Sequence, residues 1–149
     1  YIQVCEGNDV DITLCADWFY SLYKEHGITL YKCGYDQRFA RDWLNQMEMY
    51  GGTKQSGEVE MVLQNAQTLS NAINLVEADL KAQLINYNGN PVDAWCLSNA
   101  CLKLNEQRQA LIVKTNNENK IDGAVALASV YEMFRRYRSD LRKLGEKAK

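Results

Sequence analysis

Apolar residues recur near the start of the chain as Leu14/Cys15, Trp18/Phe19 and Leu22/Tyr23, the four-residue spacing of an amphipathic helix. A short extended piece, residues 1–5, and a polar turn, Glu6-Gly7-Asn8-Asp9, precede it. Gly27 is placed to end the helix, with His26 as a C-terminal capping residue. The next run, residues 28–35, is rich in β-branched and aromatic side chains and predicts a strand that stops at Asp36, joined to the helix by two residues or fewer. Phe39/Ala40, Trp43/Leu44 and Met47 then restore a helical period that Gly51-Gly52 closes.

In the second half, residues 58–63 begin with alternating polar and apolar positions and then turn apolar, as a strand entering a sheet does. A helix is expected over residues 67–84, with Leu69, Ile73, Val76, Leu80 and Leu84 as its apolar stripe and Thr68 or Ser70 as its cap. Pro91, the single proline, can open a short helix carrying Val92, Trp95, Cys96 and Asn99. Residues 101–104 and 110–114 flank a polar turn and predict a hairpin. An asparagine-rich loop, residues 115–120, leads to a last helix carrying Val125, Ala128, Tyr131/Glu132, Phe134 and Tyr137. Strands alternating with helices, plus one hairpin, indicate an α/β or α+β architecture with helices packed on a mixed sheet.

With 149 residues, 46% of them hydrophobic and 24% charged, the chain has the profile of one soluble globular domain. A chain of this length buries roughly 70% of its unfolded surface, so it needs no disulfide or structural metal. The five cysteines, Cys5, Cys15, Cys33, Cys96 and Cys101, include no C-x-x-C pair and read as reduced, mostly buried thiols. With His26 the sole histidine, neither a zinc site nor a cysteine–histidine nucleophile pair is the preferred reading. Gly51-Gly52-Thr53-Lys54 lacks the spacing of a phosphate loop. No apolar stretch approaches the roughly 18 to 20 residues of a membrane span, and no signal-peptide pattern is present, so no membrane partner and a cytoplasmic location are expected.

The net charge of -2 gives no global case for a polyanion partner, but its distribution is uneven. Residues 132–149 carry seven Lys or Arg against three carboxylates, +4, which leaves -6 on the rest. Such a split suits an acidic body with a basic DNA-handling tail; it also suits a helix C-terminus, where cations complement the macrodipole.

Two carboxylates sit at the ends of predicted elements. Asp36 falls at the carboxyl end of the residue 28–35 strand, where open α/β sheets place ligands. Asp122 opens the last helix, just before an alanine-rich apolar run. Each is also a good helix cap, worth roughly 0.5 to 2 kcal/mol. As a pair they suit hard-oxygen coordination of Mg²⁺ or Mn²⁺, although a site that clamps a phosphodiester between two ions normally uses three or more acids.

The phrase Gly34-Tyr35-Asp36-Gln37-Arg38-Phe39-Ala40, then Thr68-Leu69-Ser70, then Asn88-Gly89-Asn90-Pro91-Val92 with Trp95 and Asn99, and finally Lys120-Ile121-Asp122-Gly123, resembles the C-terminal nuclease part of the large terminase subunit of tailed bacteriophages. The resemblance implies an RNase H-like fold, a mixed central sheet flanked by helices. It also implies an endonuclease that cuts concatemeric double-stranded DNA with two divalent metals, Mg²⁺ or Mn²⁺, during genome packaging. Asp36 and Asp122 match two of the family's metal-binding, catalytic aspartates. The implied partners are double-stranded DNA, the portal and the small terminase subunit.

Nothing here matches the family's first metal aspartate, which lies on an upstream strand, and Tyr87 stands where the family often has a histidine. The expectation is therefore an N-terminally truncated nuclease segment, residues 1–137, followed by a basic helical tail, residues 138–149. It would be inactive alone, with one metal ligand outside it and a sheet edge open to self-association. Lys114 and Lys120, flanking the loop before Asp122, are the expected DNA-phosphate contacts. Two other readings use the same residues: a non-catalytic interaction module of the packaging machinery, and another RNase H-like enzyme such as a transposase or integrase.

Overall fold

The computed structural model describes residues 4–6, 9–52 and 57–147. Most of the expected N-terminal extended piece, Gly7 and Asn8 of the polar turn, Thr53-Lys54 and the last two residues of the tail lie outside them. The chain divides into two units, Tyr1–Met61 and Val62–Lys149. Among the described residues the strands form two two-stranded sheets, one in each unit.

The first unit holds α1 (Thr13–His26), β1 (Cys33–Tyr35), α2 (Arg41–Met49) and β2 (Val59–Met61). Asp11 starts α1 by accepting hydrogen bonds from the Thr13 N–H and hydroxyl at 2.9 and 2.6 Å, which also hold its carboxyl below the usual range. Gly27 ends it at φ 66°, its N–H and that of Ile28 returning to Tyr23 and Leu22 carbonyls. The αL glycine, rather than His26 in the last turn, is thus the cap. Ala16 of α1, Trp43 and Met47 of α2 and Val59 of β2 form the core, with Phe19, Leu30, Tyr35 and Leu44 packed around it.

The strand expected over residues 28–35 is paired only from Cys33 to Tyr35, so six residues rather than two separate it from α1. Its parallel partner β2 is three residues long, with Cys33 opposite Val59 and Tyr35 opposite Met61, and that length limits the ladder. Phe39 also departs from expectation. Its φ of 62° puts it outside α2, 77% exposed, with the Arg38 guanidinium 5.1 Å from its ring centre. Ala40 turns inward in its place as the N-cap residue.

The second unit holds α3 (Ala66–Lys81), α4 (Pro91–Ser98), β3 (Ala100–Leu104), β4 (Ala110–Lys114) and α5 (Asp122–Lys147). Asn65 caps α3, accepting from the Thr68 N–H at 2.9 Å; neither Thr68 nor Ser70 does so with its side chain. Ser70 is buried instead, and its Oγ accepts the Ala110 N–H at 2.9 Å, tying α3 to the start of β4. Leu84 lies beyond the helix and is exposed. Pro91 occupies the first turn of α4 under an Asn90 cap, as its fixed φ and missing N–H favour. The antiparallel hairpin pairs Ala100 with Lys114 and Leu104 with Ala110. Val62, Leu69, Ile73, Ala110, Ala128 and Met133 form this unit's core; burying side chains of the Leu or Ile kind contributes about 1.5 to 3 kcal/mol each.

The stripe of α5 includes one charged residue. Glu132 is 2% exposed and accepts from Arg135 Nε and Nη2 at 2.9 and 3.0 Å and from Arg136 Nε at 2.9 Å. Burial alone would push its carboxyl up, but the hydrogen bonds and charges of both guanidiniums outweigh that and hold it below the usual range.

Among the described residues the five cysteines are free, yet only Cys96 is buried, while Cys15 and Cys101 are exposed, so the expected mostly buried set is corrected. Cys15 lies on the solvent side of α1, and Cys101 lies on β3, where four of the five residues are exposed. Burial pushes the Cys33 thiol up to about 11, which leaves it protonated and unreactive at neutral pH. No helix among the described residues is long and apolar enough to cross a membrane.

Candidate functional site

Asp36 follows β1 directly. Its Oδ1 accepts the Arg38 N–H at 3.1 Å, an Asx turn that bends the chain toward α2 and fixes the carboxylate at the carboxyl end of the strand. The side chain is exposed and makes no ion pair among the described residues. Asp122 is the first residue of α5 in the second unit, also exposed and without an ion pair among the described residues. The positive end of the helix dipole favours an anionic side chain there.

Three contacts determine where Asp122 sits. The Val125 N–H bonds the Ile121 carbonyl at 3.0 Å, beginning the helix around buried Ile121. Gly123 packs so closely on α4 that a Cβ there would lie 3.1 Å from Cys96 Cβ and 3.3 Å from both Cys96 Sγ and Asp93 Oδ1. Asn99, the C-cap residue of α4, holds both ends of the preceding loop: its carbonyl accepts the Thr115 N–H at 3.3 Å, and its Nδ2 donates to the Lys120 carbonyl at 3.2 Å. Within the loop, Asn116 Oδ1 accepts the Glu118 and Asn119 N–H groups at 3.1 and 3.0 Å.

Lys114, the last residue of β4, and Lys120, two residues before Asp122, are therefore the exposed cations at the two ends of a clamped loop. Asp122, Lys114 and Lys120 belong to one unit, and Asp36 to the other. Two participants were not marked as functional in the sequence. Asp93 brings a second carboxylate beside the residue that follows Asp122, through the α4–α5 packing, which no sequence spacing reveals. Asn99 was legible as part of a motif, but its clamping role depends on where β4 ends.

The donor chemistry suits a hard divalent cation: exposed carboxylate oxygens at the ends of regular elements, without a neutralising basic partner. The number of donors is short of a cage. Among the described residues no group of three or more His, Cys, Asp or Glu side chains is close enough to hold a metal ion.

Residues 22–137 match the family model described as the terminase large subunit, endonuclease domain. Protein YmfN of Escherichia coli strain K12 is 35% identical over 68 residues, which cover 44% of this chain and 15% of YmfN. The crystal structure of the HK97 bacteriophage large terminase superimposes with a TM-score of 0.69 at 16% identity, covering 85% of this chain and 26% of that one. The chain thus corresponds to about a quarter or less of the length of these proteins. At that identity the superposition establishes the fold, the mixed α/β, RNase H-like fold of a terminase nuclease. With more than half its length matched by the model, the chain belongs to the family of terminase large-subunit endonuclease domains.

Proposed function

We propose that this chain is the nuclease part of a DNA-packaging terminase large subunit, that the full-length protein hydrolyses double-stranded DNA concatemers, and that Asp36 and Asp122 are two of its metal-binding and catalytic carboxylates. The observation that carries the reading is the pairing of the family match with two exposed, unpaired aspartates at the carboxyl end of β1 and the start of α5. Bound Mg²⁺ or Mn²⁺ would supply Lewis acidity and activate water for attack on phosphorus. Asp36 is held ready for a metal by its turn, and Asp122 by the Gly123 contact and the Asn99 clamp. Each carboxylate needs further oxygen ligands to hold a metal, which water, the DNA phosphate or another protein segment would contribute. Lys114 and Lys120 neutralise phosphate beside Asp122, while the packaging machinery, its portal and small terminase subunit included, delivers the DNA.

Nicking of supercoiled plasmid in Mn²⁺ by the full-length protein tests the reading, with wild type compared to Asp36→Asn and Asp122→Asn. Each substitution should lower the rate about a hundredfold or more while leaving the melting temperature unchanged. Mn²⁺ titration by calorimetry should weaken in parallel. Folded variants that nick at the wild-type rate would overturn the assignment.

A further inference from the structure

A tight turn runs from Gln37 to Ala40, closed by the Ala40 N–H on the Gln37 carbonyl at 3.5 Å, and Phe39 is its third residue at φ 62°. A positive φ at that position ordinarily belongs to glycine or asparagine, because a Cβ crowds the neighbouring carbonyl, and a bulky residue there is a genuine outlier. Packing does not account for the phenylalanine. Its ring is 77% exposed, and the small side chain of Ala40 is the one that turns inward. The backbone therefore carries strain whose effect is to hold an aromatic ring in solvent.

Arg38, exposed beside it, is uncommitted in the same way. Its guanidinium lies over the ring, 5.1 Å from the centre, and makes no hydrogen bond or ion pair with the described residues. Arg41, by contrast, is matched by Asp42 at 3.1 Å. The turn thus presents an apolar ring beside unspent N–H donors. Asp36 is tied to the same turn, its Oδ1 accepting the Arg38 N–H at 3.1 Å. Three residues span at most about 11 Å, and base pairs rise about 3.4 Å, so a duplex with a phosphate at Asp36 has the ring within about three steps of it.

Resting on the nuclease reading above, we propose that Phe39 is an apolar wedge that enters between base pairs beside the phosphate at Asp36, and that Arg38 contacts an adjoining phosphate. A side chain inserted in this way unstacks one base step and kinks the duplex. The turn fixes ring and guanidinium before DNA arrives, which lowers the ordering cost of binding.

Binding of the full-length protein to a duplex of about 30 base pairs, measured against salt concentration in EDTA, separates this proposal from the metal chemistry. The probe carries 2-aminopurine in place of its central adenines, and its fluorescence rises when a base is unstacked. Phe39→Asn removes the ring and keeps a residue that tolerates the left-handed backbone. That variant should melt no lower than wild type, bind about tenfold more weakly with the salt slope unchanged, and lose the fluorescence rise. Phe39→Trp should restore both. Arg38→Gln should reduce the slope of log K against log salt by about one. A Phe39→Asn protein that binds and unstacks DNA like wild type would overturn the wedge. One that fails to fold by circular dichroism would overturn it as well, since the ring would then serve the fold. An unchanged Arg38→Gln slope would refute the phosphate contact. Each of these outcomes leaves the nuclease reading standing; that reading fails if the wild type neither binds DNA nor nicks it.

Discussion

The Tyr131 hydroxyl donates to Asp79 Oδ2 at 2.8 Å, joining α5 to α3 across the second unit. Burial, the hydrogen bond and the nearby carboxylate charge push the phenol up to about 12. Because the folded value lies above the unfolded one of about 10, the contribution is complete below pH 10 and is lost as pH rises through 12. Tyr131→Phe should cost about 1 kcal/mol at neutral pH. It should also reduce the alkaline loss that the wild type shows between about pH 10 and 12, leaving the part due to the Cys33 thiol and the Tyr50 phenol. Urea melts across that range, with the phenolate absorbance followed in parallel, check both.

Gly123→Ala should destabilise the protein although alanine is the better helix former. The gain in propensity is about 1 kcal/mol, and overpacking against a buried neighbour costs about 1 to 3 kcal/mol. The 3.1 Å approach to Cys96 Cβ puts the strain on the α4 backbone, where no flexible side-chain end can yield. In a double-mutant cycle, Cys96→Gly should recover about 0.5 kcal/mol or more of that loss.

Asn65→Ala should cost about 1 kcal/mol through loss of the α3 cap, and Thr68→Val less than about 0.5 kcal/mol. Thr68 contributes its backbone N–H to the cap, which valine retains. Chemical denaturation of the two variants separates the observed cap from the one expected in the sequence.

Lys114→Glu and Lys120→Glu should each lower the salt slope of DNA binding by about one, with thermal stability unchanged. Both side chains are exposed at the ends of the clamped loop, so a fall in affinity without a change in slope would show that neither touches phosphate.

The helices and the hairpin were legible because their signals are local: Gly27 after an apolar period, Pro91 at a helix start, a polar five-residue turn between β3 and β4. Asp36 and Asp122 were legible as residues at element ends for the same reason. The length of β1 was not, because residues 28–32 have the composition of a strand and pairing depends on the three residues of β2. Phe39 fits a helical stripe by spacing, but its left-handed backbone directs it to solvent. Glu132 was visible on the stripe of α5, with arginines three and four residues on, yet its burial came from packing in the second unit. Asp93 came to notice only through the distance between two helices.

By gripping both ends of the residue 115–120 loop, Asn99 separates that loop mechanically from the helix it precedes. Changes of sequence or length between the two grip points are absorbed there and do not reach Asp122. Such a segment can diverge from one lineage to the next, acquiring different preferences for the DNA it meets, while the carboxylate beyond it keeps its place.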